Sequence, residues 1–170
     1  MLNSEITKLI NEQINKELYS AYLYLDMAGY YADKSLDGFE NWFYIQAQEE
    51  RDHAMLFRTY LLNNDDKVVL TAIAAPDSNY KDFKDPLLAT LEHEKTVTAS
   101  INNIYAVAYA QKDFRTMQFL DWFVKEQGEE EKNSSDLISK FDLFGNDSKG
   151  LYMLNQELGT RVYAAPSLVL

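Results

Sequence analysis

The strongest constraint on the fold is a helical spacing of apolar residues that continues through long segments with few breakers. Apolar side chains recur every three or four positions from Ile6 to Tyr31, and again from Phe39 to Leu61. The chain has 170 residues but only 6 Gly and 3 Pro, which favours long helices over short strands joined by turns. We therefore expect an all-α protein, and this length favours a single domain over residues 1–170.

Breaks in this spacing divide the chain into four long helices and one short helix. Asn3 or Ser4 can cap the first helix, and Gly38 in "DKSLDG" is the predicted break before the second. The connection "KVVLTAIAAPDSNYKDFKDP" lets helices two and three run parallel, as in a four-helix bundle with a long crossover. The predicted helices cover about residues 4–31, 39–63, 86–111, 114–144 and 149–163.

The chain is strongly acidic, which limits the partners it can attract. Its 27 Asp and Glu against 16 Lys and Arg give a formal charge of −11, which repels nucleic acid and anionic membranes but attracts cations. The absence of Cys excludes a disulfide framework and a thiolate metal site, and it fits a cytoplasmic location. No apolar run approaches the ~18 residues of a membrane span, and the N-terminal sequence lacks a secretory signal pattern.

Each long helix interrupts its apolar stripe with polar residues near the middle. On the second helix Glu50 and His53 continue the stripe, and their i, i+3 spacing places them on one face. The fourth helix repeats this spacing with Gln127 and Glu130. Across the four helices the predicted inward-facing polar residues are Glu17, Glu50, His53, Glu94, Gln127 and Glu130.

Four carboxylates that face an apolar interior require compensating positive charge. They must either protonate or bind cations, and two divalent metals would balance the four charges. Oxygen ligands with one imidazole suit iron and leave positions open for water or dioxygen. Any one of these residues alone is more often a solvent-facing or satisfied side chain, and His93 competes with Glu94 for the inward position. The convergence of four helices favours a di-iron site.

At these residues the chain resembles the ferritins, and most closely the bacterial non-haem ferritins, over its whole length. Ferritin-like di-iron bundles take one Glu from each of two helices and Glu-x-x-His from each of the other two. Here Glu17 and Glu94 match the single acids, and "EERDH" supplies Glu50 and His53. The fourth helix departs from the pattern because "EQGEEE" ends its pair in Glu instead of His. This departure is itself ferritin-like, and it weakens one metal position.

The resemblance implies an iron-storage protein with ferroxidase activity. Fe(II) would be oxidised by dioxygen or hydrogen peroxide inside the bundle and stored as a ferric oxide mineral in a shell of twenty-four identical subunits. The first iron would be held by Glu17, Glu50 and His53, and the second by Glu94, Gln127 and Glu130, with Glu50 bridging.

Further roles follow from the same resemblance. Glu49, Glu126 and Glu129 match a third iron site, although on the residues alone a solvated charged face is the favoured interpretation. Tyr24 matches a tyrosine beside the centre that would donate an electron during oxygen reduction. Trp122 is another redox candidate, but an ordinary core or interface aromatic is the commoner role.

Other families and other functions make different demands on the sequence. A haem-binding relative would carry Met at position 52, where this chain has Asp52, so no haem is expected. A rubrerythrin would need cysteines. The alternative from a different functional class is a di-iron oxidase or oxygenase without a storage role. For assembly, the apolar side of the fifth helix is expected to need a partner subunit to bury it.

Overall fold

The computed structural model describes residues 2–170, and these residues form five α-helices and no strand. In chain order the helices are α1 (Ser4–Ala32), α2 (Asp37–Asn63), α3 (Asp85–Gln111), α4 (Phe114–Phe144) and α5 (Ser148–Leu158). The predicted four-helix bundle with a long crossover and a short fifth helix is confirmed. Within the described residues, no helix has both the length and the apolar character needed to cross a bilayer.

Local sequence explains where the helices begin. Asn3, Asp113 and Asp147 each accept hydrogen bonds from backbone N–H groups in the first turn of the helix that follows. Pro86 lies in the first turn of α3, where its missing N–H leaves no hydrogen bond unmade.

Two predicted boundaries were wrong. Gly38 does not break the chain but lies within α2, where it allows α5 to approach closely. A β-carbon at this position would lie 1.6 Å from the backbone oxygen of Asn155, so no other residue fits without movement of the backbone. α5 ends at Leu158 instead of Tyr163, because Gly159 follows and the chain then turns back toward α2.

Two apolar clusters fill the bundle on either side of a polar middle layer. One cluster contains Tyr31 and Phe39, and the other contains Ile10 and Phe57. Because the bundle is apolar at both ends, the polar layer is shielded from solvent along its axis. The buried polar layer includes Gln13, Glu17, Gln46, Glu50, His53, Glu94, Gln127 and Glu130.

The apolar side of α5 is buried within its own chain. Leu154 and Leu158 are buried, and Leu151 packs against the same cluster. The expectation that this side needs another subunit was therefore wrong, because α2 and α4 supply the surface that covers it. Tyr152 and Met153 on the other side of α5 remain exposed.

Candidate metal centre

Glu17 on α1 and Glu50 and His53 on α2 form the tightest group of potential metal ligands. One ligand atom from each lies within 4.8 Å of the other two, and all three residues are buried. His53 Nδ1 lies 3.6 Å from Glu50 Oε2. Within residues 2–170 this is the one group of three such side chains that meets at this separation. The arrangement therefore suits a single cation between α1 and α2.

One carboxylate oxygen in this group lacks a hydrogen bond. Gln13 Nε2 donates to Glu17 Oε1 at 2.7 Å, whereas the buried Oε2 finds no partner within the described part of the chain. Buried polar atoms in proteins are almost always paired. An unpaired oxygen beside Glu50 and His53 is therefore a position where a cation would satisfy an unmet demand.

The other predicted ligands, on α3 and α4, already have partners. Gln127 Nε2 donates to Glu94 Oε2 at 3.0 Å, and the Tyr24 hydroxyl donates to Glu94 Oε1. Glu130 Oε2 accepts a hydrogen bond of 2.7 Å from Gln46 Nε2. Because both oxygens of Glu94 are engaged, a cation that binds this carboxylate must replace one of these hydrogen bonds.

Glu94, and not His93, takes the inward position on α3. Glu94 is only 1% exposed, whereas His93 lies at the edge of the bundle with its Nε2 2.7 Å from Ser20 Oγ. Burial lowers the pKa of His93 to about 4, so this side chain is neutral near pH 7. The ambiguity in the sequence is thereby resolved in favour of the carboxylate.

The buried carboxyl groups are costly to ionise together. Burial raises the pKa of Glu17 and Glu50 well above the usual range, and repulsion from neighbouring carboxylates adds to it. Burial and the nearby Glu94 raise the pKa of Glu130 to about 8, and burial also raises the pKa of Glu94. Without a cation the centre therefore retains protons near neutral pH, and a bound cation would release them.

Two aromatic side chains border the centre. Tyr24 is fully buried, and burial together with the charge of Glu94 raises its pKa, so its hydroxyl stays protonated near neutral pH. Trp122 stands edge-on to His53 with ring centroids 5.5 Å apart, and its indole N–H donates to Ser167 Oγ. Tyr24 therefore contacts the predicted ligand Glu94, and Trp122 packs against the predicted ligand His53.

The acids of the predicted third site do not meet as a group in this structure. Glu49 is half-buried and pairs with Arg161 Nη2 at 2.5 Å. Glu126 is half-buried, while Glu129 is exposed and lies 3.4 Å from Lys125 Nζ. The third site therefore stays a prediction, and Arg161 already occupies one of its acids.

Two glutamines and one arginine at the centre had no role in the sequence analysis. Gln13 and Gln46 each lie one helical turn before a predicted ligand, so their spacing offered a signal. Arg161 Nη1 donates to Gln46 Oε1 at 2.9 Å, although 115 positions separate the two residues in sequence. No local pattern predicts that contact.

Comparison with known proteins identifies the family of this chain. Residues 7–144 match the family model described as a ferritin-like domain. The chain is 42% identical over 156 residues to a bacterial non-heme ferritin of Campylobacter jejuni, covering 92% of this chain and 93% of that protein. It is 36% identical to a bacterial non-heme ferritin of Staphylococcus saprophyticus, covering 96% of this chain and 98% of that protein.

A solved structure gives the same result for the fold. The structure described as a novel open pore ferritin from the hyperthermophilic archaeon Archaeoglobus fulgidus superposes with a TM-score of 0.93 at 38% identity. The match covers 95% of this chain and 100% of that chain. The chain therefore belongs to the ferritin family, and bacterial non-haem ferritins are among its relatives.

Proposed function

We propose that this protein stores iron, oxidising Fe(II) at the centre between its four helices and retaining Fe(III) as a hydrous oxide mineral. The observation that carries the proposal is the buried group of Glu17, Glu50 and His53 with the unpaired Glu17 Oε2. In a ferritin-family chain, a group that needs a cation at this place is best explained as an iron position.

Glu17, Glu50 and His53 would hold the first Fe(II). Two carboxylates and one imidazole suit this ion and leave coordination positions open for water or an oxidant. The charge of the ion would also offset the repulsion that raises the carboxyl pKa values, and the displaced protons would leave the centre.

The second Fe(II) would take Glu94, Glu130 and the carbonyl oxygen of Gln127, with Glu50 shared between the two ions. Glu50 suits a bridging role because the charges of Glu94 and Glu130 already act on its carboxylate. Gln127 brings no charge, so this position would bind more weakly and release oxidised iron more readily.

Two adjacent Fe(II) ions supply two electrons, which is the number needed to reduce dioxygen to hydrogen peroxide with two protons. Tyr24 would contribute a further electron only in reduction to water, where two Fe(II), Tyr24 and a third Fe(II) would together supply the four electrons that dioxygen takes up with four protons. The Tyr24 hydroxyl donates to Glu94, so this carboxylate could accept the phenol proton. Hydrogen peroxide is the other candidate oxidant. Glu49, Glu126 and Glu129 would form a third iron position only if Arg161 releases Glu49.

Storage as a mineral requires a closed assembly of subunits, and we propose a shell of twenty-four in which each subunit is one ferritin-like domain of residues 1–170. An apolar groove of about 730 Å³ on the outer side of α1 and α2 supports self-association. Its exposed side chains include Tyr22, Leu25 and Tyr44. A cytoplasmic location, where Fe(II) is available, fits this function.

Aerobic iron loading tests the proposal. The assembled protein is given increasing Fe(II) in air, and iron retained per subunit is measured together with particle mass. Storage predicts retention far beyond two irons per subunit at the mass of a large assembly. Uptake that stops at two irons would instead favour the alternative function, a di-iron oxidase or oxygenase without storage.

A further inference from the structure

The segment after α5 returns along α2 and places the positively charged side chain of Arg161 at the edge of the metal centre. Arg161 Nη1 donates to the backbone oxygen of Trp42 at 3.1 Å and to Gln46 Oε1 at 2.9 Å, while Nη2 donates to Glu49. The guanidinium also stacks over the Trp42 ring, 4.7 Å from its centroid. With only 22% of its side chain exposed, Arg161 is held far more firmly than an ordinary surface arginine.

This contact determines the orientation of the Gln46 amide. Arginine can only donate hydrogen bonds, so the atom of Gln46 that faces it must be the carbonyl oxygen. The NH2 group must then point the other way, toward the centre. There it donates to Glu130 Oε2 at 2.7 Å and approaches Glu50 Oε1 at 3.4 Å.

We propose that Arg161 is a positioning residue for the metal centre: through the Gln46 amide it holds the Glu130 carboxylate in place for the second metal ion. The inference rests on the proposed function, since it assumes that Glu130 is a ligand. With Oε2 engaged by Gln46, Oε1 is the oxygen that remains for a cation. Partners that orient metal ligands commonly change metal affinity about 10–100-fold when they are removed.

Within residues 2–170, Arg161 is the donor that engages the Gln46 carbonyl oxygen, and loss of Arg161 removes this hydrogen bond. The amide is then held only by its donation to Glu130 and Glu50, so it is freer to move and positions the Glu130 carboxylate less firmly. A lysine at this position keeps a charge near Glu49 but lacks the planar fork that reaches Gln46 and Glu49 together. The Arg161→Lys variant should therefore also weaken the second metal position.

The test is an anaerobic Co(II) titration of the assembled protein, followed by visible absorption, which reports binding without iron oxidation. Wild type should bind two Co(II) per subunit with unequal affinity. Arg161→Met and Arg161→Lys should weaken the second step about tenfold and leave the first step nearly unchanged. Tyr163→Phe is the matched control, because it removes the nearby contact with Asp52 but leaves Gln46 untouched.

A double-mutant cycle separates positioning from general stabilisation. If Arg161 acts through Gln46, Arg161→Met should cause no further loss in a Gln46→Leu background. An equal loss in both backgrounds, or Co(II) binding by Arg161→Lys that matches wild type, would overturn the inference. If wild type itself binds no Co(II) at the centre, the proposed function fails and the inference fails with it. Normal wild-type binding with unaffected variants overturns the inference alone.

Discussion

The α1/α2 half of the centre and the α3/α4 half each offer three candidate ligands, but the hydrogen bonds made by their carboxylate oxygens differ. Glu17, Glu50 and His53 converge within 4.8 Å, and one buried oxygen among them is unpaired. Glu17 and Glu50 each accept one hydrogen bond, from Gln13 and Gln46. In the other half both oxygens of Glu94 are engaged, and Glu130 accepts a hydrogen bond from Gln46. A cation in the first half therefore satisfies an unpaired oxygen, whereas a cation in the second half must displace a hydrogen bond before it can bind Glu94.

The two halves are also linked. The donors that engage the α3/α4 carboxylates include Tyr24 from α1 and Gln46 from α2. Reorganisation of the second position therefore moves groups that border the first. This difference would suit the proposed iron processing, since a firm first position would retain Fe(II) while competing hydrogen bonds at the second would let the product leave.

The largest expected effect comes from removing one candidate ligand of the α1/α2 half. Glu50→Ala or His53→Ala should reduce Fe(II) oxidation to near the uncatalysed rate, because each removes a proposed ligand of the first iron. Stopped-flow absorbance of the ferric product measures the change. Glu92→Gln is the control, because Glu92 is exposed and, within residues 2–170, its ion pair is with Lys95. Oxidation unchanged in the Glu50 and His53 variants would remove these residues from the site.

The next largest effect is expected from adding a charged ligand to the α3/α4 half. Gln127→Glu adds a negative charge beside the second position and should tighten binding there by at least about tenfold. It should also slow the transfer of iron into the mineral, because the ion is held longer. Competition with a chelator measures the affinity, and delayed mineral growth measures the transfer. Unchanged affinity would mean that Gln127 does not border a cation.

Stability of the metal-free protein should fall as pH rises from about 6.5 to 8. The folded carboxyl groups, including Glu130 with a pKa of about 8, keep protons that the unfolded chain has lost in this range. Because the folded state binds more protons, raising the pH favours unfolding, by up to about 1.4 kcal/mol per pH unit for each proton. Burial of neutral His93 has its opposing effect mainly below pH 6.5.

Thermal unfolding of chelator-treated protein at several pH values between about 6.5 and 8 measures how the free energy of unfolding changes with pH. Addition of Zn²⁺ should reduce this change, since the metal replaces the protons. A stability that rises with pH over the same range would contradict the electrostatic account of the centre.

The smallest effect is expected from the hydrogen bonds that orient Gln13 beside Glu17 in the α1/α2 half. Lys16 Nζ donates to Ser100 Oγ, which donates to Gln13 Oε1 at 2.6 Å and so directs the Gln13 NH2 toward Glu17. Ser100→Ala removes one such hydrogen bond and should weaken the first metal step by about fivefold or less. Calorimetric titration resolves this change. If Ser100→Ala weakened the first metal step more than His53→Ala does, the proposed ranking of these contributions would be wrong.

Much of this centre was accessible from sequence because helices convert spacing into direction. Residues three or four apart share a face, so Glu50 and His53 had to point the same way as the apolar residues around them. The length of the crossover likewise allowed α2 and α3 to run parallel. These inferences need only local geometry.

The missed contacts depend on the path of the chain. Arg161 reaches Glu49 across 112 positions only because the chain turns back after Gly159, and helical spacing alone did not predict that turn. The close approach of Gly38 to Asn155 is equally non-local, so the glycine was interpreted as a break. Spacing predicts which face a residue occupies but not which distant segment will cover it.

The order in which the two positions fill tests the central claim most directly. Crystals of the assembled protein are soaked anaerobically with less than one Fe(II) per subunit, and anomalous scattering at the iron edge locates the metal. The account predicts the first density between Glu17, Glu50 and His53. Density that appears first between Glu94, Gln127 and Glu130, or at neither position, would contradict it.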